Sequence, residues 1–253
     1  MIVLKSKSEI ALMREAGRIN ALVLAELREA VHPGVTTAEL DALAISVQQK
    51  LGAGPVFQGY RPHSGPPFPA VITTCVNEEL VHGIPGERVL EDGDLLTVDC
   101  ASNYRGYIGD AAFSVGVGGG TEAVAQLIGV TEEALAVGIA AAQPDSRVGD
   151  IGAAIQTFVE SKGYSVVRGY GGHGVGRTMH EEPHIPNVGP SGRGRRLRPG
   201  MTIAIEPMVL AGDHEVITLA DQWTVVSKDG KLTAHCEHTI VVTENGPEIL
   251  TLL

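Results

Sequence analysis

The feature that most constrains the fold is a weak internal repeat. Equivalent positions in the two halves are Pro33 with Pro144 and Gly52 with Gly163 at an offset of 111, and Asp99 with Glu206 at an offset of 107. In each half a proline separates two helical patterns, and strand-like sequence follows. A period this long in 253 residues excludes a solenoid. The repeat predicts an α+β chain, a single domain 1–253 with similar halves, roughly 1–116 and 117–253, whose sheets meet about an approximate twofold axis.

Local signals predict where the elements of the first half begin and end. Capping-box spacing at Ser6 and at Thr36 predicts helices over 6–31 and over 36–52. Alternating and β-branched residues predict strands over Ala70–Val76, Leu95–Cys100, Tyr107–Val115 and, near the end of the chain, Ala234–Val242. The loop from Gly54 to Pro69 is too long for a simple connection, so we expect it to cover a site.

Two aspartates stand on a predicted hairpin, TVDCASNYRGYIGD, which runs from Thr97 to Asp110. A turn centred near Tyr104 and Arg105 would make Asp99 and Asp110 face each other across the two strands. The pair is either two solvated surface carboxylates, which is the common fate of aspartate, or a site for a divalent cation.

The second half supplies further candidate ligands. His173 and His180 lie in the glycine-rich stretch GYGGHGVGRTMHEEPH, where backbone can approach a bound group closely. Glu237 lies in the last predicted strand, on one face with Thr239, and a buried glutamate there is costly unless it is paired or metal-bound. The candidate ligands are the carboxylates of Asp99, Asp110, Glu206 and Glu237 and the imidazole of His173. This oxygen-rich set suits two bridged divalent ions better than a closed structural zinc site.

Composition and charge exclude several other classes of protein. The net charge of -11 argues against non-specific binding to nucleic acid, so no DNA partner is expected. The basic run Arg193–Arg198 is interpreted as a solvated loop. Three widely spaced cysteines predict reduced thiols rather than disulfides. The charged N-terminal sequence and the lack of any stretch near 18 apolar residues predict a cytoplasmic chain that does not enter a membrane.

Taken together, the motifs resemble those of the type I methionine aminopeptidases over nearly the whole chain. They are VHGIPG with His82, TVDC and GYIGDAA with Asp99 and Asp110, GGHGVGRTMHEEPHIPN with His173 and His180, IAIEP with Glu206, and CEHTIVVT with Glu237. The resemblance implies the pita-bread fold and two divalent metal ions per chain, drawn from Co, Mn, Fe, Zn and Ni. It also implies removal of the initiator methionine from polypeptides with a small second residue, by attack of a metal-bridging water or hydroxide on the first peptide bond.

The resemblance further implies roles for individual residues. Asp99 and Asp110 would bind one ion and His173 and Glu206 the other, with Asp110 and Glu237 bridging. Glu206 would also accept the proton of the attacking water, His180 would stabilise the tetrahedral intermediate, and His82 would contact the scissile amide. The substrate-binding set is His82, His180, Phe68, Thr73, Met179 and Trp223. Two positions depart from the family pattern, since Thr73 stands where many of these enzymes have a cysteine and Gly65 where an aromatic residue is common.

Several alternatives and partners follow from the same resemblance. Xaa-Pro aminopeptidases and prolidases share the catalytic half, and a binding module that kept the fold without the metals is a third possibility. Expected partners are the N-terminus of a nascent polypeptide and the ribosome near its exit tunnel, and the chain is expected to be a monomer. The repeat pairs His63 with His173, but we expect His63 to line the substrate entrance rather than to bind metal.

Overall fold

The computed structural model describes residues 2–61 and 65–253, so His63 lies outside the described residues. The helices in the described part are α1 (Lys7–Ala30), α2 (Thr37–Lys50), α3 (Glu122–Ala141) and α4 (Val148–Ser161), with a 3-10 turn over Val117–Gly119. The strands are β1 (Gly54–Pro55), β2 (Ile72–Val76), β3 (Glu79–Val81), β4 (Leu95–Tyr104), β5 (Tyr107–Gly116), β6 (Ser165–Val166), β7 (Gly171–Gly174), β8 (Glu181–Pro186), β9 (Thr202–Ile205), β10 (Met208–Leu210), β11 (Val216–Thr218), β12 (Val225–Ser227), β13 (Thr233–His235), β14 (Glu237–Thr243) and β15 (Gly246–Ile249).

Both predicted capping boxes are confirmed. The Ser6 hydroxyl accepts the backbone N–H of Glu9, and the Glu9 carboxylate accepts the Ser6 N–H in return. Thr36 and Glu39 repeat the arrangement at the start of α2. Each pair satisfies backbone donors that a helix leaves free at its first turn, which is why these two boundaries could be predicted closely.

One antiparallel sheet joins the two halves of the sequence. Within the described residues it has nine strands, in the order β1-β4-β5-β14-β9-β7-β8, with β2 beside β4 and β15 beside β14. Within this sheet the halves meet at the central pair of β5 and β14, and a smaller sheet also joins them through the pair of β3 and β12. The expectation of separate sheets meeting at an axis is therefore corrected to one continuous sheet, whose two sides are arranged similarly about that central pair.

Helices cover one face of this sheet. Leu24 and Leu27 of α1 share a core with Ala111 and Phe113 of β5. Because side chains alternate along a strand, Asp110 and Ala112 face away from the helices. The second half buries α3 and α4 against the strands β9 and β14 in a similar core. The helical face is thus the apolar core, and the other face remains available for polar groups.

The β4–β5 hairpin has a register two residues away from the predicted one. Tyr104 pairs with Tyr107, so the turn is Arg105–Gly106, and Asp99 lies opposite Ala112 rather than opposite Asp110. Arg105 and Gly106 both have positive φ, at 51° and 81°, as a tight two-residue hairpin turn requires. A shift by two keeps every side chain on its face, so the two aspartates still emerge on the same side.

One helix, α3, is long and apolar enough by length and composition alone to cross a membrane. It has 20 residues, and the mean hydropathy of an 18-residue window within it is 1.5. In the structure its Leu127, Ala134 and Leu135 belong to the core of the second half. A core helix can therefore pass the same test of length and composition. The three cysteines are free, as expected, and all three are buried.

Candidate active site

Five neighbouring strands bring the predicted metal ligands to one face of the sheet. In sheet order they are Asp99 on β4, Asp110 on β5, Glu237 at the start of β14, Glu206 directly after β9, and His173 on β7. Ala112 pairs with both Asp99 and Glu237, which fixes those two carboxylates on the face of Asp110. Asp99 and Glu206, which the sequence repeat places at equivalent positions, thus belong to β4 and to the end of β9, the strands on either side of the central pair β5 and β14.

Hydrogen bonds to neighbouring residues hold these strand ends in place. Thr239 Oγ1 accepts the Asp110 N–H at 3.1 Å and donates to the Asp110 carbonyl oxygen at 2.8 Å, which ties β14 to β5. The Asn187 side-chain amide donates to the Glu206 carbonyl oxygen at 2.8 Å. Glu206 directly follows β9, and this contact from the residue after β8 helps to hold its backbone.

The ligand atoms lie at separations that a metal ion can bridge. His173 Nε2 is 3.6 Å from Asp110 Oδ2 and 3.6 Å from Glu206 Oε1. Candidate ligand atoms of Asp110, His173 and Glu237 all lie within 4.8 Å of one another. A set of carboxylates with one imidazole on such spacing matches the donors that first-row divalent ions take.

Several carboxylate oxygens in this cluster are buried without any hydrogen-bond donor. They are Asp99 Oδ1, both carboxylate oxygens of Asp110, and Glu237 Oε1. A buried charged oxygen without a donor costs several kcal/mol unless a cation compensates it. Asp110 and Glu237, which carry three of these oxygens, also offer ligand atoms within 4.8 Å of one another and of His173, so the residues present fit a divalent metal centre.

The electrostatics of the metal-free cluster lead to the same conclusion. Burial raises the pKa of Asp110 to about 8, with the Glu206 charge adding to the effect. Burial, with the Asp99 charge beside it, also raises the pKa of Glu206 to about 8. The pKa values of Asp99 and Glu237 are raised well above the ordinary range, first by burial and then by neighbouring carboxylates. Metal cations would reverse these shifts by favouring the charged forms.

The histidines of the site are held neutral. Burial, followed by the nearby His180, lowers the pKa of His173 to about 3 and that of His82 to about 4. Burial also lowers the pKa of His180. A neutral imidazole offers one nitrogen as a lone-pair ligand or proton acceptor and the other as a donor. His82 follows β3 in a left-handed conformation, φ 62°, which sets its ring 6.3 Å from that of Trp223.

His235 is a site residue that the sequence reasoning missed. It is 2% exposed, and its Nε2 lies 3.7 Å from Glu237 Oε2 and 4.0 Å from Glu206 Oε2 without a hydrogen-bond partner. Strand alternation could have found it, because His235 is two residues before Glu237. Strand structure is interrupted at Cys236, between β13 and β14. The prediction of one continuous strand over Ala234–Val242 was therefore wrong, although Cys236 and Glu237 do face opposite sides of the sheet.

A cavity of about 190 Å³ opens onto the carboxylates. It is lined by all eleven residues selected from the sequence, Phe68, Thr73, His82, Asp99, Asp110, His173, Met179, His180, Glu206, Trp223 and Glu237, together with Phe57 and Tyr60. Phe68 packs edge to face on Trp223 at 5.1 Å and on Phe57 at 6.3 Å between ring centroids. Aromatic rings and a thioether thus form one end of the cavity, and the polar cluster forms the other.

Tyr60 orients His180. The phenol oxygen lies 2.7 Å from His180 Nδ1, and the two ring centroids are 5.3 Å apart. The contact leaves Nε2 as the free nitrogen of His180. The sequence analysis did not select Tyr60, although its place in the long Gly54–Pro69 loop, which was expected to cover a site, was a usable signal.

A larger apolar groove, about 660 Å³, lies on the other face of the sheet between α1 and α3. Cys236 and His238 reach it from β14, since they alternate with the site-facing Glu237. Among the described residues, none of the clusters of metal-ligand type lies in this groove. The residues selected as metal ligands line the smaller cavity instead.

Comparison with known proteins agrees with this geometry. Residues 11–244 match the family described as Metallopeptidase family M24. Methionine aminopeptidase 1 of Bacillus subtilis is 51% identical over 99% of this chain and 99% of its own. The chain belongs to the methionine aminopeptidases of metallopeptidase family M24. The crystal structure of methionine aminopeptidase from Thermotoga maritima superposes with a TM-score of 0.95 at 44% identity, covering 100% of both chains.

The same comparisons confirm the pita-bread fold. An Xaa-Pro dipeptidase from Bacillus anthracis superposes with a TM-score of 0.79 but is 24% identical, and the match covers 61% of that chain. At that identity the likeness shows the fold alone. The resemblance to methionine aminopeptidases stated from the motifs is thus confirmed at the level of family and fold.

The two positions that depart from the family pattern differ in their relation to the cavity. Tyr60 and Phe68 contribute aromatic rings to its lining, whereas Gly65, at φ 108°, is not part of that lining in the described structure, and a Cβ at this position would come within 4 Å of the Gln222 side chain. Thr73 is buried and lines the cavity, beside Asp99 on the neighbouring strand.

We expect His235→Leu to weaken metal binding by roughly 10–100-fold, as loss of groups that orient ligands commonly does. His235→Gln should retain most of the affinity, because its amide can donate a hydrogen bond toward the Glu206 and Glu237 carboxylates. Calorimetric titration of Co²⁺ into metal-free protein measures both variants against wild type. Equal affinities for all three proteins would show that the imidazole does not support the cluster.

Proposed function

We propose that this methionine aminopeptidase hydrolyses the first peptide bond of polypeptides that begin with methionine and carry a small second residue. The observation that supports this most directly is one cavity with an apolar, sulfur-bearing end and a cluster of buried, donor-free carboxylates at the other. A cavity of about 190 Å³ suits one side chain rather than a long peptide segment.

The metal centre in this proposal holds two divalent ions per chain. Their ligands would be Asp99, Asp110, His173, Glu206 and Glu237, with the metal identity set by availability among first-row ions. When bound, such ions supply Lewis-acid activation of a water nucleophile and of the scissile carbonyl.

Glu206 is proposed as the proton acceptor. Its Oε1 lies 3.6 Å from His173 Nε2, the same distance as Asp110 Oδ2, and its side chain lines the cavity. In the charged form it can accept the proton of a water molecule that attacks the substrate carbonyl, and later return a proton to the leaving amine. A neutral amide at this position can do neither.

His180 and His82 are proposed to stabilise charge and orient the amide. Tyr60 at Nδ1 leaves His180 Nε2 to donate to the oxygen of the tetrahedral intermediate, provided that the neutral ring carries its proton there. His82 lies beside Trp223 and can hydrogen-bond the scissile amide. Preorganised donors of this kind avoid the cost of reorganising water during the reaction.

The methionine side chain would occupy the apolar end of the cavity. Phe68, Trp223 and Met179 offer sulfur–aromatic and sulfur–sulfur contacts to a thioether. Thr73 is close in size to the cysteine common in the family, so the pocket keeps its dimensions.

We also propose that the enzyme acts as a monomer in the cytoplasm on nascent chains near the ribosome exit tunnel.

Release of the first residue from three peptides tests the proposal. We expect Met-Ala-Ser to be cleaved at least about tenfold faster than Leu-Ala-Ser, and than Met-Leu-Ser, by metal-loaded enzyme, because pocket fit and close packing near His82 both discriminate. Equal rates on the first two peptides would refute the methionine pocket. Equal rates on the first and third would indicate a broader aminopeptidase. Cleavage confined to Xaa-Pro peptides would favour the prolidase alternative, and no cleavage with metal bound would favour a binding module.

A further inference from the structure

A buried ion pair joins the N-terminal segment to the loop that carries Met179 and His180. Lys5 lies just before α1, and its ammonium is 2.5 Å from Glu181, between Nζ and Oε2. The Lys5 side chain is 4% exposed and the Glu181 side chain 14%. Water therefore competes little with this contact, and the pair is screened far less than a surface ion pair.

The second oxygen of Glu181 holds the loop backbone. Oε1 accepts the N–H of Arg177 at 2.9 Å and that of Thr178 at 3.4 Å. The same pair packs on Gly176, where a Cβ atom would lie 2.5 Å from Lys5 Cε and 2.6 Å from Glu181 Oε1. Lys5 and Glu181 thus contact three consecutive residues of the loop between β7 and β8.

Lys5 is itself fixed to the rest of the fold. Its backbone N–H donates to the Gly200 carbonyl oxygen at 2.8 Å, and Gly200 donates to Val242 of β14. The ammonium therefore projects from a backbone anchored to the central sheet. The two residues that follow Thr178 are Met179 and His180, which line the substrate cavity, so the position of this loop sets where both side chains meet a substrate.

We propose that Lys5 is a positioning residue: through Glu181 it holds the 176–180 loop so that Met179 and His180 engage the first residue of the substrate. The inference rests on the proposed function and adds a specificity-determining contact outside the cavity. Removing Lys5 leaves a largely buried carboxylate without its partner. Glu181 then turns toward water and releases the two amide groups that it holds.

Amide hydrogen exchange and peptide kinetics on the metal-loaded full chain test the proposal with Lys5→Met. We expect the Arg177 and Thr178 amides to exchange at least about tenfold faster, because local opening becomes easier. We also expect kcat/KM for Met-Ala-Ser to fall at least about tenfold, because small misplacement of positioning groups is costly. The preference for Met-Ala-Ser over Leu-Ala-Ser should fall as well.

Arg14→Met is the matched control. Arg14, on α1, forms an ion pair at 2.8 Å with Glu248, on β15. Both side chains are 51% exposed, and neither lines the cavity. It should leave all three readouts unchanged. Unchanged exchange in Lys5→Met, or faster exchange with unchanged kinetics and selectivity, would overturn the positioning role.

Two further measurements keep the outcomes distinct. Wild-type enzyme that releases no methionine would reject the proposed function, whereas the exchange result judges Lys5 independently of turnover. If Lys5→Met does not fold, Glu181→Gln removes the charge at constant size and is expected to change the same three readouts in the same direction. Wild-type values in all three for a folded Glu181→Gln would overturn the proposal.

Discussion

Glu206→Gln is expected to lower kcat for methionine release by at least about a thousandfold, because it removes a proton acceptor and weakens a metal ligand together. The substitution is isosteric, and burial, followed by the neighbouring Asp99 charge, already raises the pKa of Glu206. A neutral amide there relieves repulsion, so the fold should persist. Release of methionine from Met-Ala-Ser in excess metal, with metal content and circular dichroism measured beside it, gives the result.

Glu29→Gln is the control for this experiment. Glu29 is exposed on α1, so the substitution makes the same chemical change away from the cavity. It should retain the wild-type rate. A Glu206→Gln enzyme that keeps more than about a tenth of the wild-type rate would refute the assigned role, because a tenfold loss is only about 1.4 kcal/mol of barrier.

Metal-free protein is expected to lose stability as the pH rises from 6.5 to 8. The pKa values of Asp110 and Glu206 are about 8 in the folded protein, against ordinary values of 3.8 and 4.5. Between those limits the unfolded chain is deprotonated while the folded chain keeps its protons, so folding stability falls with rising pH. Below about pH 6.5 the neutral buried histidines act in the opposite sense, because their pKa values are lowered. The interval from 6.5 to 8 therefore isolates the carboxylates.

The melting temperature of chelator-treated protein should fall by at least about 2–4 °C across this interval, which corresponds to roughly 1 kcal/mol for a chain of this size. Metal-loaded protein should not show the fall, since binding requires deprotonated ligands and becomes stronger with pH. Asp110→Asn removes one of the titrating groups and should make the metal-free slope shallower, while Glu29→Gln should not. A metal-free melting temperature that stays constant or rises from pH 6.5 to 8 would contradict the electrostatic description.

The sequence by itself determined the chemical content of the site. Strand alternation and the repeat selected Asp99, Glu206 and Glu237 correctly as groups of one sheet face, because a two-residue period is a local property of any strand. The helix starts at Ser6 and Thr36 were equally accessible, since a capping box is closed within four residues. The motif resemblance led to the correct family because it depends on several such local stretches together.

Only the tertiary structure decided how those groups meet. The observed hairpin register differs from the predicted one by two residues, because the turn forms at Arg105–Gly106, where glycine tolerates positive φ. Side-chain alternation does not distinguish registers that differ by two residues. The interruption of the last strand at Cys236 was not predicted, and Tyr60 contacts His180 across 120 residues of sequence. Lys5 and Glu181 are 176 residues apart, so no local period relates them. Contacts of this kind arise from how the sheet and its loops pack, and packing depends on the whole chain at once.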